Sequence, residues 1–260
     1  MVPEKELHYF TYLDDKEHKY YLTEKQYIKQ FQHGDGFKAV GEASPSYLYS
    51  IEAPKRIREF NPQMRLIAVL RNPVDRAYSN FLHNLRRGTE PVNDFAKAIQ
   101  LEGERIKEGW DFSYHYVSKG YYGEQLRRYY DVFDKAQLKV ILLNDLRTNP
   151  AETIRQLFDF LKVDDNFLPD LSARHNTSGI AKNKVIGGWL NVLQRSSTIN
   201  RIIKVLIPYK LREKLKKSFY TQLPMTDAAR KTLDAIFQED VIQLQTLINR
   251  DLSDWLIEKP

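Results

Sequence analysis

Arg71 and Ser79 are the residues whose types and spacing first suggest chemistry. Arginine brings a planar, always-charged fork of donors and serine a small hydroxyl, a pair suited to one phosphate group. The bland alternative is an arginine that only caps or salt-bridges a loop. The surrounding stretch, MRLIAVLRNPVDRAYSNFL over Met64–Leu82, says how the two would be positioned. Leu66–Leu70 is a continuous apolar run, which predicts a parallel strand covered on both faces. Asn72-Pro73 breaks it, and proline at a helix start needs no N–H partner. Asp75 falls in the first helical turn, where negative charge suits the helix dipole. Ser79 lies one to two turns into that helix, and ligands of open α/β sheets sit beyond the carboxyl ends of strands.

The elements around this stretch alternate. A short helix is expected over Thr23–Phe31 with Thr23 as its cap, a strand over Phe37–Ala43, and a helix over Ala53–Phe60. Helices follow over Asn93–Gly103 and Tyr122–Val132, a second buried strand over Lys139–Leu143, and a helix from Pro150 to about Leu161. Residues 1–10 read as extended. The repeat of strand and helix predicts an α/β fold, a parallel sheet with covering helices. Thr226–Leu256 has the apolar spacing of a long amphipathic helix. The whole, 1–260, reads as one domain with 185–260 as its C-terminal helical part.

A chain of 260 residues is long enough for a sizeable core. Its net charge of +6 favours an anionic ligand, while no helix-turn-helix or zinc-finger pattern points to nucleic acid. With no cysteine, disulfides and thiolate metal sites are excluded. No run of eighteen apolar residues predicts a membrane span, and no signal peptide precedes Lys5, so the expected location is cytoplasmic. Between Arg195 and Lys217 stand eight Lys/Arg against one Glu. That is either a solvated helix face or a landing surface for acidic glycans or lipid headgroups.

The segment R-N-P-x-D-R-A-x-S from Arg71 to Ser79 resembles the 3′-phosphate-binding segment of sulfotransferases that use 3′-phosphoadenosine 5′-phosphosulfate, PAPS. Three further stretches resemble the same family in the same order: Lys5–Phe10 (KELHYF), Gly41–Tyr47 (GEASPSY), and Gly120-Tyr121-Tyr122 with Gln125-Leu126. The flavour is that of bacterial carbohydrate and heparan-sulfate-type enzymes, and the resemblance spans roughly residues 3–184. It implies a P-loop-NTPase-like three-layer sandwich with a central parallel sheet. It also implies PAPS as co-substrate, PAP as product, and a glycan or glycolipid acceptor.

Sulfuryl transfer needs positioning, charge stabilisation at the leaving phosphate and removal of one acceptor proton, with no metal or redox group. The base could be Glu6, Glu42 or His8; the resemblance matches Glu6 to the glutamate base of the heparan-sulfate-type enzymes and His8 to the histidine two residues on. If their segment is extended, both side chains share one face. Glu42, at the end of its expected strand, is the other carboxylate that could reach the cleft, though Ala43 stands where relatives often carry lysine. Tyr122 would stack or hydrogen-bond near the adenosine, or serve simply as a structural aromatic. Lys182, within RHNTSGIAKNK over Arg174–Lys184, would close over the 3′-phosphate, or belong to a solvated loop. The family's Gly-rich loop, whose N–H groups cradle the 5′-phosphosulfate, does not occur in the sequence. We therefore expect Met1 to be internal to a longer unit whose first strand and helix are missing. That strand would be central, flanked by Phe37–Ala43 or Leu66–Leu70 and by Lys139–Leu143. A non-catalytic anion-binding module is the alternative to an enzyme.

Overall fold

The computed structural model describes residues 4–165, 167, 180–181, 220–221 and 224–256. The chain forms two compact units, one of Met1–Arg71, Tyr121–Leu171 and Glu239–Leu252, the other of Asn72–Gly120, Ser172–Gln238 and Ser253–Pro260.

In the first unit, β1 (Leu66–Leu70) pairs in parallel with β2 (Leu138–Leu142), Leu66 opposite Leu138 and Leu70 opposite Leu142. The Leu143 N–H extends the ladder to the Leu70 carbonyl at 2.7 Å. The fold is the expected α/β class with a parallel sheet, but the sheet has only two strands among the described residues. Direct pairing of β1 with β2 rules out a strand order that places another strand between them. The expected strand over Phe37–Ala43 does not form. A strand exists only with a ladder partner, and this segment has none, leaving Phe37 and Val40 exposed. Nor is β1 covered on both faces: Leu70 is buried, while Ile67 and Val69, on the alternate face, are 41% and 51% exposed.

Local signals set the helices of this unit. The α1 helix (Glu24–Lys29) starts on a capping box between Thr23 and Gln26. The α2 helix (Ser46–Tyr49) is a single turn, and α3 spans Ala53–Phe60 as expected. The α7 helix (Tyr122–Tyr130) receives its cap from far away. The Asp240 carboxylate accepts from the Gly123 and Glu124 N–H groups at 2.9 and 3.1 Å. A Cβ on Gly123 would stand 2.9 Å from Asp240, so this approach requires glycine. The α8 (Asp145–Thr148) and α9 (Pro150–Leu161) helices follow β2.

The second unit is built on α4 (Pro73–Arg87), which the Asn72 side chain caps by accepting from the Val74 and Asp75 N–H groups. Gly88, at φ 68°, ends it. The expected helix over Asn93–Gly103 divides into α5 (Phe95–Gln100) and α6 (Glu102–Lys107), and Asp94 rather than Asn93 caps the first. The short strands β3 (Ile180–Ala181) and β4 (Tyr220–Thr221) pair antiparallel. The long helix α10 (Asp227–Ile248) buries Leu233 and Phe237 here, and Val241 and Leu244 in the first unit.

Polar groups stitch the 88–120 segment to α4. Asn80 and Asn84, one turn apart, both donate to the Ser113 carbonyl at 2.9 Å. Arg105 grips Glu90 through two bonds of 3.0 and 2.7 Å, and the Tyr116 hydroxyl adds a third. The Arg105 and Glu90 side chains are 4% and 0% exposed. Removing one partner of such a pair strands a buried charge. Arg105→Met should therefore destabilise the chain by about 3–5 kcal/mol in denaturant titrations. The double change Glu90→Gln with Arg105→Met should recover part of that loss. A single variant as stable as the parent would refute the role of the pair.

Lys119 supplies a second expectation. Its amine donates to the Asn80 side-chain oxygen at 2.6 Å and lies over the Phe112 ring at 5.2 Å. Burial, aided by the Arg76 charge, lowers its pKa from 10.5 to about 7. Between those two values the unfolded chain binds a proton that the folded chain does not, so stability rises with pH across that window. Thermal melts from pH 7 to 10 should show that rise, and Lys119→Met should flatten it.

Candidate functional site

The KELHYF segment lies in the first unit, and its geometry departs from the extended form expected. Glu6 and His8 have φ values of 59° and 53°, left-handed backbone at two residues that are not glycine. Each such position costs about 1–3 kcal/mol and persists only where the surroundings impose it. The imposing contacts come from the GEASPSY loop. The His8 N–H donates to Ser44 Oγ at 2.9 Å, so it has no strand to pair with. His8 Nδ1 lies 2.6 Å from Ser46 Oγ, which lies 2.7 Å from Thr11 Oγ1. Arg56 donates to the carbonyls of Phe10 and Thr11, both at 3.1 Å, and secures the turn that follows.

This backbone turn places Glu6 Oε2 3.8 Å from His8 Nε2. The His8 side chain is 2% exposed and that of Glu6 58%. One end of the pair is locked in the core and the other faces solvent.

Glu42 joins the same network. Ser44, which holds the His8 backbone, donates its own hydroxyl proton to Glu42 Oε2 at 2.7 Å. Tyr47 donates to Glu42 Oε1, and the Tyr27 hydroxyl stands 3.5 Å from the same oxygen. Burial raises the Glu42 pKa against the opposing pull of these hydroxyls. The Tyr27 and Tyr47 hydroxyls are pushed well above their ordinary values by burial and by the Glu42 charge. They remain protonated donors.

The other expected site residues fall as follows. Arg71 stands half-buried directly after β1 and closes a segment of the first unit. Ser79 stands half-buried on α4 in the second unit, next to the Asn80 that holds Lys119. Tyr122 is buried at the first position of α7, and its backbone N–H helps hold Asp240. Lys182 and the basic stretch 195–217 lie outside the described residues. Sequence reasoning missed Ser44, Ser46, Thr11 and the two tyrosines on Glu42 as parts of one network. The signal was available only as the run of hydroxyl residues around Pro45. It also missed Lys119, whose only mark was its place before Gly120. A Cβ at Gly120 would stand 2.4 Å from the Phe237 ring, which accounts for that glycine.

Three comparisons bear on this arrangement. The family profile described as "Sulfotransferase domain" matches residues 38–244. The human bifunctional heparan sulfate N-deacetylase/N-sulfotransferase 3 is 26% identical over 221 residues, covering 83% of this chain and 23% of that protein. Human heparan sulfate glucosamine 3-O-sulfotransferase 6 is 29% identical over 120 residues, covering 46% of this chain and 34% of that one. The chain thus spans about a quarter to a third of the length of these curated relatives. A crystal structure of a sulfotransferase from Alicyclobacillus acidocaldarius matches with a TM-score of 0.75 at 29% identity, over 98% of this chain and 87% of that chain. With the profile match running over most of its length, the chain belongs to the sulfotransferase domain family.

Proposed function

We propose that the chain transfers a sulfuryl group from PAPS to a hydroxyl or amine of a carbohydrate acceptor, with Glu6 as the base. The observation that carries this reading is the Glu6 carboxylate itself. It faces solvent, 3.8 Å from a buried imidazole nitrogen, at the end of a strained and heavily braced turn. Strained backbone at a braced, accessible carboxylate is a mark of function rather than of packing. Glu42 is the weaker candidate, because both its oxygens already accept hydroxyl protons. The curated relatives named for heparan sulfate support an amino-sugar glycan as acceptor.

The donor nucleotide is read onto Arg71 and Ser79. A guanidinium and a hydroxyl fit the three oxygens of a phosphate, and the Arg71 contact carries most of the energy because it is charge-assisted. In the transfer, the acceptor oxygen or nitrogen attacks sulfur while the bond from sulfur to the phosphate oxygen breaks. PAP leaves with that electron pair, and Glu6 takes the acceptor proton. Such a reaction asks the protein for alignment, proton removal and neutralisation of charge on the leaving phosphate.

Two measurements test this. In calorimetry with PAP, Arg71→Ala should weaken binding by roughly 1.5–3 kcal/mol, and equal affinities would remove Arg71 from the site. In a PAPS turnover assay with N-deacetylated heparosan, Glu6→Gln should lower kcat about 10²–10⁴-fold while PAP affinity stays unchanged. If Glu42→Gln is the crippling change instead, the base is Glu42. PAP binding by the parent chain with no turnover on any glycan would mark a nucleotide-binding module.

A further inference from the structure

Ser46 has no role in the chemistry proposed above, yet it is completely buried and sits at the centre of a chain of short polar contacts. The chain runs from Thr11 Oγ1 to Ser46 Oγ at 2.7 Å, then to His8 Nδ1 at 2.6 Å, and from His8 Nε2 to Glu6 Oε2 at 3.8 Å. A neutral imidazole carries one proton, so the chain has two senses. In one sense Nδ1–H donates to Ser46, Ser46 donates to Thr11, and a bare Nε2 lone pair faces the Glu6 carboxylate. In the other, Thr11 donates to Ser46, Ser46 donates to Nδ1, and Nε2–H faces Glu6. An ionised carboxylate repels a lone pair and attracts an N–H, so the second sense is selected. His8 is 1% exposed, and the rings of Tyr20 and Tyr12 lie 4.5 and 6.4 Å from its own.

We propose that Ser46 is a positioning residue, whose hydroxyl, braced by Thr11, locks the His8 proton on Nε2 so that His8 holds the Glu6 carboxylate aimed. The proposal rests on the reading of Glu6 as the base. The left-handed turns at Glu6 and His8 bring an exposed carboxylate against a buried ring, and the Ser44 bond to the His8 N–H keeps that ring over Ser46. With its proton on Nε2 the ring turns an N–H toward the Glu6 carboxylate, 3.8 Å away, and so orients it. Without the Ser46 hydroxyl Nδ1 loses its donor at 2.6 Å, so only the Glu6 contact still favours the proton on Nε2 and the ring's hold on Glu6 loosens.

The test uses the full chain, with Ser46→Ala, Thr11→Val and Ser46→Thr beside Glu6→Gln. Nitrogen-15 NMR of the His8 ring should show the Nε2–H tautomer in the parent and a mixture in Ser46→Ala. This readout needs no turnover. In the PAPS assay Ser46→Ala should lower kcat roughly tenfold or more and leave KM for PAPS unchanged. Thr11→Val, at a half-buried and nearly isosteric position, should lower kcat by less, and Ser46→Thr should restore it. A parent ring protonated on Nδ1, or an Nε2–H tautomer unchanged in Ser46→Ala, overturns the lock. If Glu6→Gln keeps turnover while the tautomer still depends on Ser46, the lock stands and the assignment of the base falls.

Discussion

The His8 backbone N–H and the His8 ring are both tied to one loop, by Ser44 and by Ser46. That double attachment is the constraint on which the candidate site depends. A single hydrogen bond is worth only about 0.5–1.5 kcal/mol net, too little by itself to hold two non-glycine residues in left-handed backbone. Two bonds from one buried residue, with Arg56 gripping the following carbonyls, oppose that cost together. The strain is held next to the Glu6 carboxylate, and Glu42 is tied to the same serine.

The β1–β2 ladder plays the corresponding part for Arg71. Its parallel register from Leu66 opposite Leu138 to Leu70 opposite Leu142 fixes where β1 ends, and so where Arg71 emerges. Asn72 then caps α4 through two backbone N–H groups, which sets the phase of the helix that carries Ser79. A slip of one residue would send every side chain of β1 to the opposite face.

The second unit holds its polar groups differently. Glu90 and Arg105 are sequestered from water and satisfied by one another, by Tyr116 and by local backbone. Lys119 donates to the neutral Asn80 amide, and burial together with the Arg76 charge is why its proton is held loosely. Both arrangements are tied to α4, through Asn84 to Tyr116 and through Asn80 to Lys119.

Much of this was legible in the residues. The apolar run before Arg71, the Asn72-Pro73 break, the Thr23 cap and the start of α9 on Pro150 are local patterns, and local hydrogen bonding decides them. The motif order from KELHYF to Gly120-Tyr121-Tyr122 carried the family, which the profile match shows. What could not be read was anything that depends on a partner distant in sequence. Phe37–Ala43 has strand-forming residues but no ladder neighbour, so it stays out of the sheet. The KELHYF segment looks extended, but its backbone donor goes to a serine 36 residues away, and the chain turns. Composition and spacing determine which side chains are available to a site. The tertiary structure decides which of them meet, because a buried hydroxyl and a buried ring find each other only when folding closes the loop between them.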